Sequence, residues 1–255
     1  MQIKVQKLNE SFSKITGPES DLQKIANRLK VEEPGAFFNP LVQRGFKSPF
    51  VYFTKKFGDD LIVYNGHLKL IDQKEDLKTD FSIEEIKEYL KNNLDKLPFK
   101  PYDYQLKCFI ESILNVKHIN LLATGSGKSI IISLLADFFR VHGKRVLLLV
   151  PNINLLTQFK ADIDSYNLKE LSENTEILGA GNKTDFKSSV LISTWQSMIQ
   201  YKKELNKSIK YDVIINDEVH KNAGEVSSEI ATSLLDTKYR FGFTGTLPED
   251  PIWAG

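Results

Sequence analysis

The chain has 255 residues, of which 41% are hydrophobic and 26% charged. That length suits one large domain or two modest ones, and that composition belongs to an ordered globular chain rather than a disordered one. The net charge of +1 excludes a protein that coats nucleic acid through bulk basicity, and a single cysteine, Cys108, excludes a disulfide scaffold. Apolar runs such as Val146–Val150 are too short to span a bilayer. The opening MQIKVQKLNE lacks the apolar stretch of a signal peptide. These features set the expectation of a cytoplasmic protein with no membrane partner.

Residues 1–98 read as a small α+β unit. Residues 2–5 alternate like a strand, and residues 19–29 carry Leu22, Ile25, Ala26 and Leu29 at helical spacing. Residues 50–57 and 61–64 are strand-like. Asn65-Gly66 predicts a hairpin turn, with residues 67–71 as the returning strand. Ser82 followed by Glu85 predicts a capping box at the start of a helix that aligns Ile83, Ile86, Leu90 and Leu94. The stretch Leu97-Pro98-Phe99-Lys100-Pro101 breaks this pattern and places a domain boundary between residues 98 and 99.

From residue 101 the texture changes. Helical patterns alternate with short apolar strands at residues 118–122, 145–150, 190–193, 211–215 and 240–244. Near-continuous apolar runs suit parallel strands covered on both faces, so the expected fold class is α/β with a parallel sheet.

Ala123-Thr124-Gly125-Ser126-Gly127-Lys128-Ser129 falls between one of these strands and an apolar helix, which is the context a phosphate loop requires. Gly125 and Gly127 allow the backbone to turn its N–H groups inward, and the helix N-terminus favours an anion. Lys128 would reach the β- and γ-phosphates, and the Ser129 hydroxyl would ligate Mg²⁺. Downstream, Ile214-Ile215-Asn216-Asp217-Glu218-Val219-His220 ends a strand on two carboxylates. Asp217 would hold Mg²⁺, Glu218 would orient or deprotonate the attacking water, and His220 would couple this site to a neighbouring element.

The pair ATGSGKS and NDEVH resembles motifs I and II of superfamily 2 helicases and translocases, and further stations follow in the family's order. Pro101-Tyr102-Asp103-Tyr104-Gln105 resembles the segment whose glutamine reads the adenine edge. Residues 151–158, including Asn152 and Gln158, resemble motif Ia. Gly179-Ala180-Gly181 resembles motif Ib, Ser193-Thr194-Trp195-Gln196-Ser197 the T-x-Q element, and Thr244-Gly245-Thr246 motif III. Leu122 stands where the general phosphate-loop pattern has glycine, a position that is not always glycine in this family. In the N-terminal part, Phe38-Asn39-Pro40 and Arg44-Gly45-Phe46 resemble the accessory domain of phage branched-DNA recombination helicases of the UvsW type. Lys47-Ser48-Pro49 stands where such relatives often carry Trp-Asp-Gly.

The resemblance implies a RecA-like phosphate-loop NTPase domain over residues 99–255, preceded by an accessory domain. It implies ATP and Mg²⁺ as cofactors, DNA as partner, and remodelling of R-loops, forks and recombination junctions, in the host cytoplasm if the chain is phage-encoded. Its nucleotide site would comprise Gln105, Thr124, Gly125, Ser126, Gly127, Lys128 and Ser129. Coupling would fall to His220, Thr244 and Thr246. Nucleic acid would cross Asn152, Gln158, Lys160, Gly181, Thr194 and Gln196, with an auxiliary grip at Arg44, Lys47, Lys55 and Lys56. A second RecA-like domain, in cis or in trans, would supply the arginine finger and the other wall of the ATP cleft, leaving this chain weakly active alone. The motor part of a restriction-type translocase or of an RNA helicase is an alternative within the superfamily. An ATP-independent DNA-binding or annealing module is an alternative of another class.

Overall fold

The computed structural model describes residues 2–33, 35–75, 77–218 and 225–245, without the side chains of residues 225, 227 and 228. The chain divides into two compact units, the first ending at Asp76 and the second beginning at Leu77.

The first unit contains β1 (Lys4–Lys7), β2 (Phe12–Thr16), α1 (Glu19–Arg28), β3 (Lys30–Glu32), α2 (Pro40–Gln43), β4 (Phe50–Tyr52), β5 (Thr54–Phe57) and β6 (Asp60–Tyr64). An antiparallel sheet runs in the order β1-β2-β6-β5, and β3 pairs with β4 apart from it. The helical stripe of α1 buries Leu22 and Ile25 against Ile15 of β2 and Leu61 and Val63 of β6.

Two local expectations change here. Residues 50–57 are two strands in different sheets, separated at Phe53, whose N–H donates to the Leu29 carbonyl at 2.8 Å. The hairpin turn falls at Gly58-Asp59, because Phe57 pairs with Asp60 and Gly58 has φ +59°. Residues 65–71 instead form a 3₁₀ helix. The Asn65 side chain is buried, accepting from Ser13 Oγ at 2.7 Å and donating to the Asn9 carbonyl at 2.9 Å. Leu68 and Ile71 follow at intervals of three, which eclipse in a 3₁₀ helix and point together into the core. A buried amide with both ends satisfied outweighs the local turn preference.

The second unit contains α3 (Ile83–Asn93), α4 (Asp103–Asn115), β7 (Lys117–Leu121), α5 (Lys128–Val141), β8 (Val146–Val150), α6 (Ile153–Ser165), α7 (Lys169–Glu173), β9 (Thr175–Leu178), β10 (Val190–Thr194), α8 (Trp195–Met198), β11 (Val213–Asn216), α9 (Glu225–Ser233) and β12 (Tyr239–Thr244). Its sheet has the order β7-β12-β11-β8-β10-β9, with every pairing parallel. Central β8 is buried along its whole length. Val146, Leu148 and Val150 pack with the α5 side chains, whereas Leu147 and Leu149 pack with Trp195, Met198, Ile230 and Leu234 on the opposite face. Helices therefore cover both faces, as the continuous apolar runs predict.

Helix α3 has the expected capping box, with Ser82 Oγ accepting from Glu85 N–H at 3.2 Å. Its Ile86, Tyr89 and Leu90 join the core of the second unit, and the Tyr89 hydroxyl donates to Asp137 Oδ2 at 2.8 Å. The compact units thus part at 76/77, whereas the sequence pattern places the boundary at 98/99. An amphipathic stripe shows which face is buried but not which core receives it. Strand β9, absent from the sequence reading, extends the sheet beyond β10.

Candidate functional site

Parallel strands deliver their carboxyl ends to one edge of a sheet, where ligands bind in folds of this class. Here β7 leads into the phosphate loop, β11 into the acidic pair, and β12, between them, ends at Thr244. The loop is tied to β12 through the Leu122 N–H, which donates to the Thr244 carbonyl at 2.8 Å. Thr244 is 1% exposed. Gly245 follows at a close approach, since a Cβ there would meet Thr124 Oγ1 at 3.3 Å.

Gly125 and Gly127 have φ +80° and +75°, a left-handed backbone that favours glycine. The turn closes from Ser126 N–H to the Ala123 carbonyl at 3.1 Å. Gln105 braces it from α4. Its Nε2 donates to the Ser126 carbonyl at 2.9 Å while its Oε1 accepts from Tyr102 N–H at 2.8 Å. Both ends of this buried amide are engaged within the chain. A Cβ at Gly127 would come within 2.5 Å of Gln105 Nε2. Tyr104, a residue without an assigned role in the sequence reading, donates its hydroxyl proton to the same Ser126 carbonyl at 2.6 Å.

The Lys128 ammonium lies 3.6 Å from Glu218 Oε1 and 3.5 Å from the Leu122 carbonyl oxygen. Asp217 is 3% exposed and fixed by its N–H, which donates to the Leu149 carbonyl at 3.0 Å. Glu218 has φ +54°, a costly conformation for a residue with a Cβ. The partner of Ser129 Oγ is the Tyr166 hydroxyl at 2.7 Å. Burial pushes the Tyr166 phenol up, and the Ser129 hydrogen bond opposes that shift. An ammonium, a serine hydroxyl and two carboxylates beside a glycine turn at the start of a 14-residue helix form a donor set that fits a phosphate chain and a hard divalent cation. His220 and Thr246 lie outside the described residues.

The other expected residues are dispersed over the two units. Asn152 caps α6, its Oδ1 accepting from Leu155 N–H at 3.0 Å, and Gln158 is exposed on the same helix. Lys160 pairs with Asp164 at 2.5 Å. Gly181 has φ +83° in an exposed turn after β9. Gln196 is exposed on α8. Thr194 is 3% exposed and caps α8, with Oγ1 accepting from Ser197 N–H and donating to Ser197 Oγ. Its hydroxyl is thus engaged within the chain. In the first unit, Arg44 and Lys47 lie in the turn after α2, and Lys47 pairs with Glu33 at 2.7 Å. Lys55 and Lys56 are exposed neighbours on β5 and so project from opposite faces of its sheet.

A six-stranded parallel sheet with a phosphate loop at its edge defines a RecA-like domain of the phosphate-loop NTPase class. More narrowly, the chain belongs to the family described as type III restriction enzyme, res subunit, whose model matches residues 98–249. It is 29% identical over 97% of its length to the ATP-dependent DNA helicase uvsW of Enterobacteria phage T4, covering 52% of that protein. It is 30% identical over 76% of its length to the DNA 3'-5' translocase XPB2 of Sulfurisphaera tokodaii, covering 42% of that protein. The chain thus spans about half the length of these curated relatives. A crystal structure of the UvsW helicase from bacteriophage T4 shares the fold. Its TM-score is 0.83 at 24% identity, over 98% of this chain and 94% of that one.

Proposed function

We propose that the chain is the N-terminal part of an ATP-dependent DNA helicase or translocase that remodels branched DNA. The observation that carries this reading is the meeting of Lys128 and Glu218 at 3.6 Å, because it joins the phosphate loop to the acidic strand end in one site. Relatives named as a DNA helicase and a DNA translocase support DNA over RNA as the partner.

In this reading the N–H groups of residues 124–129 cradle the phosphates and Lys128 neutralises the β- and γ-oxygens. Ser129 and Asp217 would hold Mg²⁺, which would supply positive charge to offset that developing on the transferred phosphoryl group. Glu218 takes the proton of the attacking water. Gln105 holds the loop in shape from beneath. Thr244, with Thr246 and His220, passes the state of the nucleotide to neighbouring elements. DNA crosses Asn152, Gln158, Gly181 and Gln196, where backbone N–H groups and polar side chains grip phosphates without reading sequence, and the buried Thr194 supports this surface by capping the helix that carries Gln196. Arg44, Lys47, Lys55 and Lys56 add a salt-sensitive auxiliary contact. A second RecA-like domain, in cis or in trans, closes the cleft with an arginine finger.

The test is calorimetric titration of ATP into the wild-type chain and Lys128→Ala, followed by DNA-stimulated hydrolysis once a second RecA-like domain is supplied. Loss of binding in the variant, with stimulation by forked DNA exceeding that by RNA, is the expected result. Unchanged ATP affinity in Lys128→Ala defeats the site assignment. Structured-DNA binding indifferent to ATP defeats the motor.

A further inference from the structure

Ser129, the proposed metal ligand, is held by a residue outside every motif of the sequence. Its Oγ lies 2.7 Å from the hydroxyl of Tyr166. Tyr166 is the C-cap of α6 and is 8% exposed, with its ring edge-on to Phe99 at a centroid distance of 5.5 Å. The phenol is therefore placed by a helix end and by ring packing together.

A serine hydroxyl has one proton and two lone pairs. A divalent cation at the oxygen repels that proton, which then needs an acceptor on the side away from the cation. The Tyr166 oxygen stands at hydrogen-bond distance to serve. We propose that Tyr166 is a positioning residue for the phosphate-loop serine: its oxygen accepts the Ser129 proton and so turns the serine lone pairs toward Mg²⁺. This rests on the reading of the loop as an ATP and Mg²⁺ site. It also adds a short mechanical link. Helix α6 is capped at its start by Asn152 and carries Gln158, the proposed DNA contacts, and its C-cap is the residue that aims the metal ligand.

The experiment follows binding of N-methylanthraniloyl-ATP to the 255-residue chain while MgCl₂ is titrated, and again in EDTA. Wild type, Tyr166→Phe, Ser129→Ala and the double variant are compared, with Lys128→Ala as a control for the site itself. Tyr166→Phe keeps the ring against Phe99 and removes only the hydroxyl. It is expected to raise the Mg²⁺ requirement roughly tenfold, the usual effect of losing a partner behind a metal ligand. Affinity in EDTA should be unchanged, and the substitution should add nothing in the Ser129→Ala background. A wild-type Mg²⁺ response, or an equal loss with and without Ser129, overturns the proposal. Affinity indifferent to Lys128→Ala overturns the ATP-site reading instead, so the two failures are told apart. If Tyr166→Phe melts early, the same titrations run well below its melting temperature carry the comparison.

Discussion

The Lys128 ammonium stands 3.6 Å from the Glu218 carboxylate, both side chains being largely shielded, at 11% and 17% exposure. One group opens α5 and the other follows β11, so the contact exists only because parallel strands end at a common edge. Lys128→Ala should weaken ATP binding about 10- to 100-fold, the worth of a charge-assisted hydrogen bond. Glu218→Gln should leave binding near wild type and lower hydrolysis at least about 100-fold in the complete motor, as expected of a lost general base. Calorimetry and a phosphate-release assay separate the two effects. Equal loss of binding in both variants would remove Glu218 from the catalytic role.

The two loop glycines should not respond alike. Gly125 and Gly127 share a left-handed backbone, but a Cβ at Gly125 meets nothing within 4 Å, whereas one at Gly127 meets Gln105 Nε2 at 2.5 Å. Gly125→Ala should cost about 1 kcal/mol, the conformational penalty alone. Gly127→Ala should cost more, because it also disturbs the Gln105 brace. Urea unfolding midpoints decide this, and identical midpoints would refute it.

Helix α3 belongs energetically to the sheet core. The Asp137 carboxylate is 3% exposed, accepting from the Tyr89 hydroxyl at 2.8 Å and from Arg140 Nη2 at 2.8 Å. Burial, with the adjacent carboxylate, holds the Tyr89 phenol well above its ordinary value. Tyr89→Phe should destabilise the unit by about 1–3 kcal/mol, the cost of an unmet buried acceptor. A polypeptide starting at Leu77 should fold on its own. One starting at Phe99 should aggregate, because it exposes the face that α3 covers. Dispersed amide NMR spectra from both would refute this.

Acid sensitivity should have an identifiable local part. Asp80 accepts from Lys238 Nζ at 2.5 Å, and this bond, against partial burial, holds its carboxyl below the ordinary value of 3.8. A depressed carboxylate adds stability that is full above the unfolded value and is lost as the pH falls through the lower folded one. With Asp80 45% exposed, solvent screening limits the effect to less than about 1 kcal/mol. Asp80→Asn should therefore melt slightly earlier than wild type at pH 7, and the difference should vanish in strong acid. A gap that persists there would point to packing rather than charge.

Residue order alone determined much of this protein. The glycines before Lys128, the carboxylates after an apolar strand and the alternation of runs 101–244 make a parallel α/β sheet with a phosphate site legible, because those constraints are local. Turn chemistry at Asn65-Gly66 was equally local but yielded to a buried amide that finds partners at Ser13 and Asn9. Only the tertiary structure decided which core α3 joins, where β9 pairs, that Gln105 and Tyr104 clamp the Ser126 carbonyl, and that Tyr166 reaches Ser129. Each of those is a contact between segments whose own sequences are satisfied without it. Periodicity specifies a face, and packing chooses what that face meets.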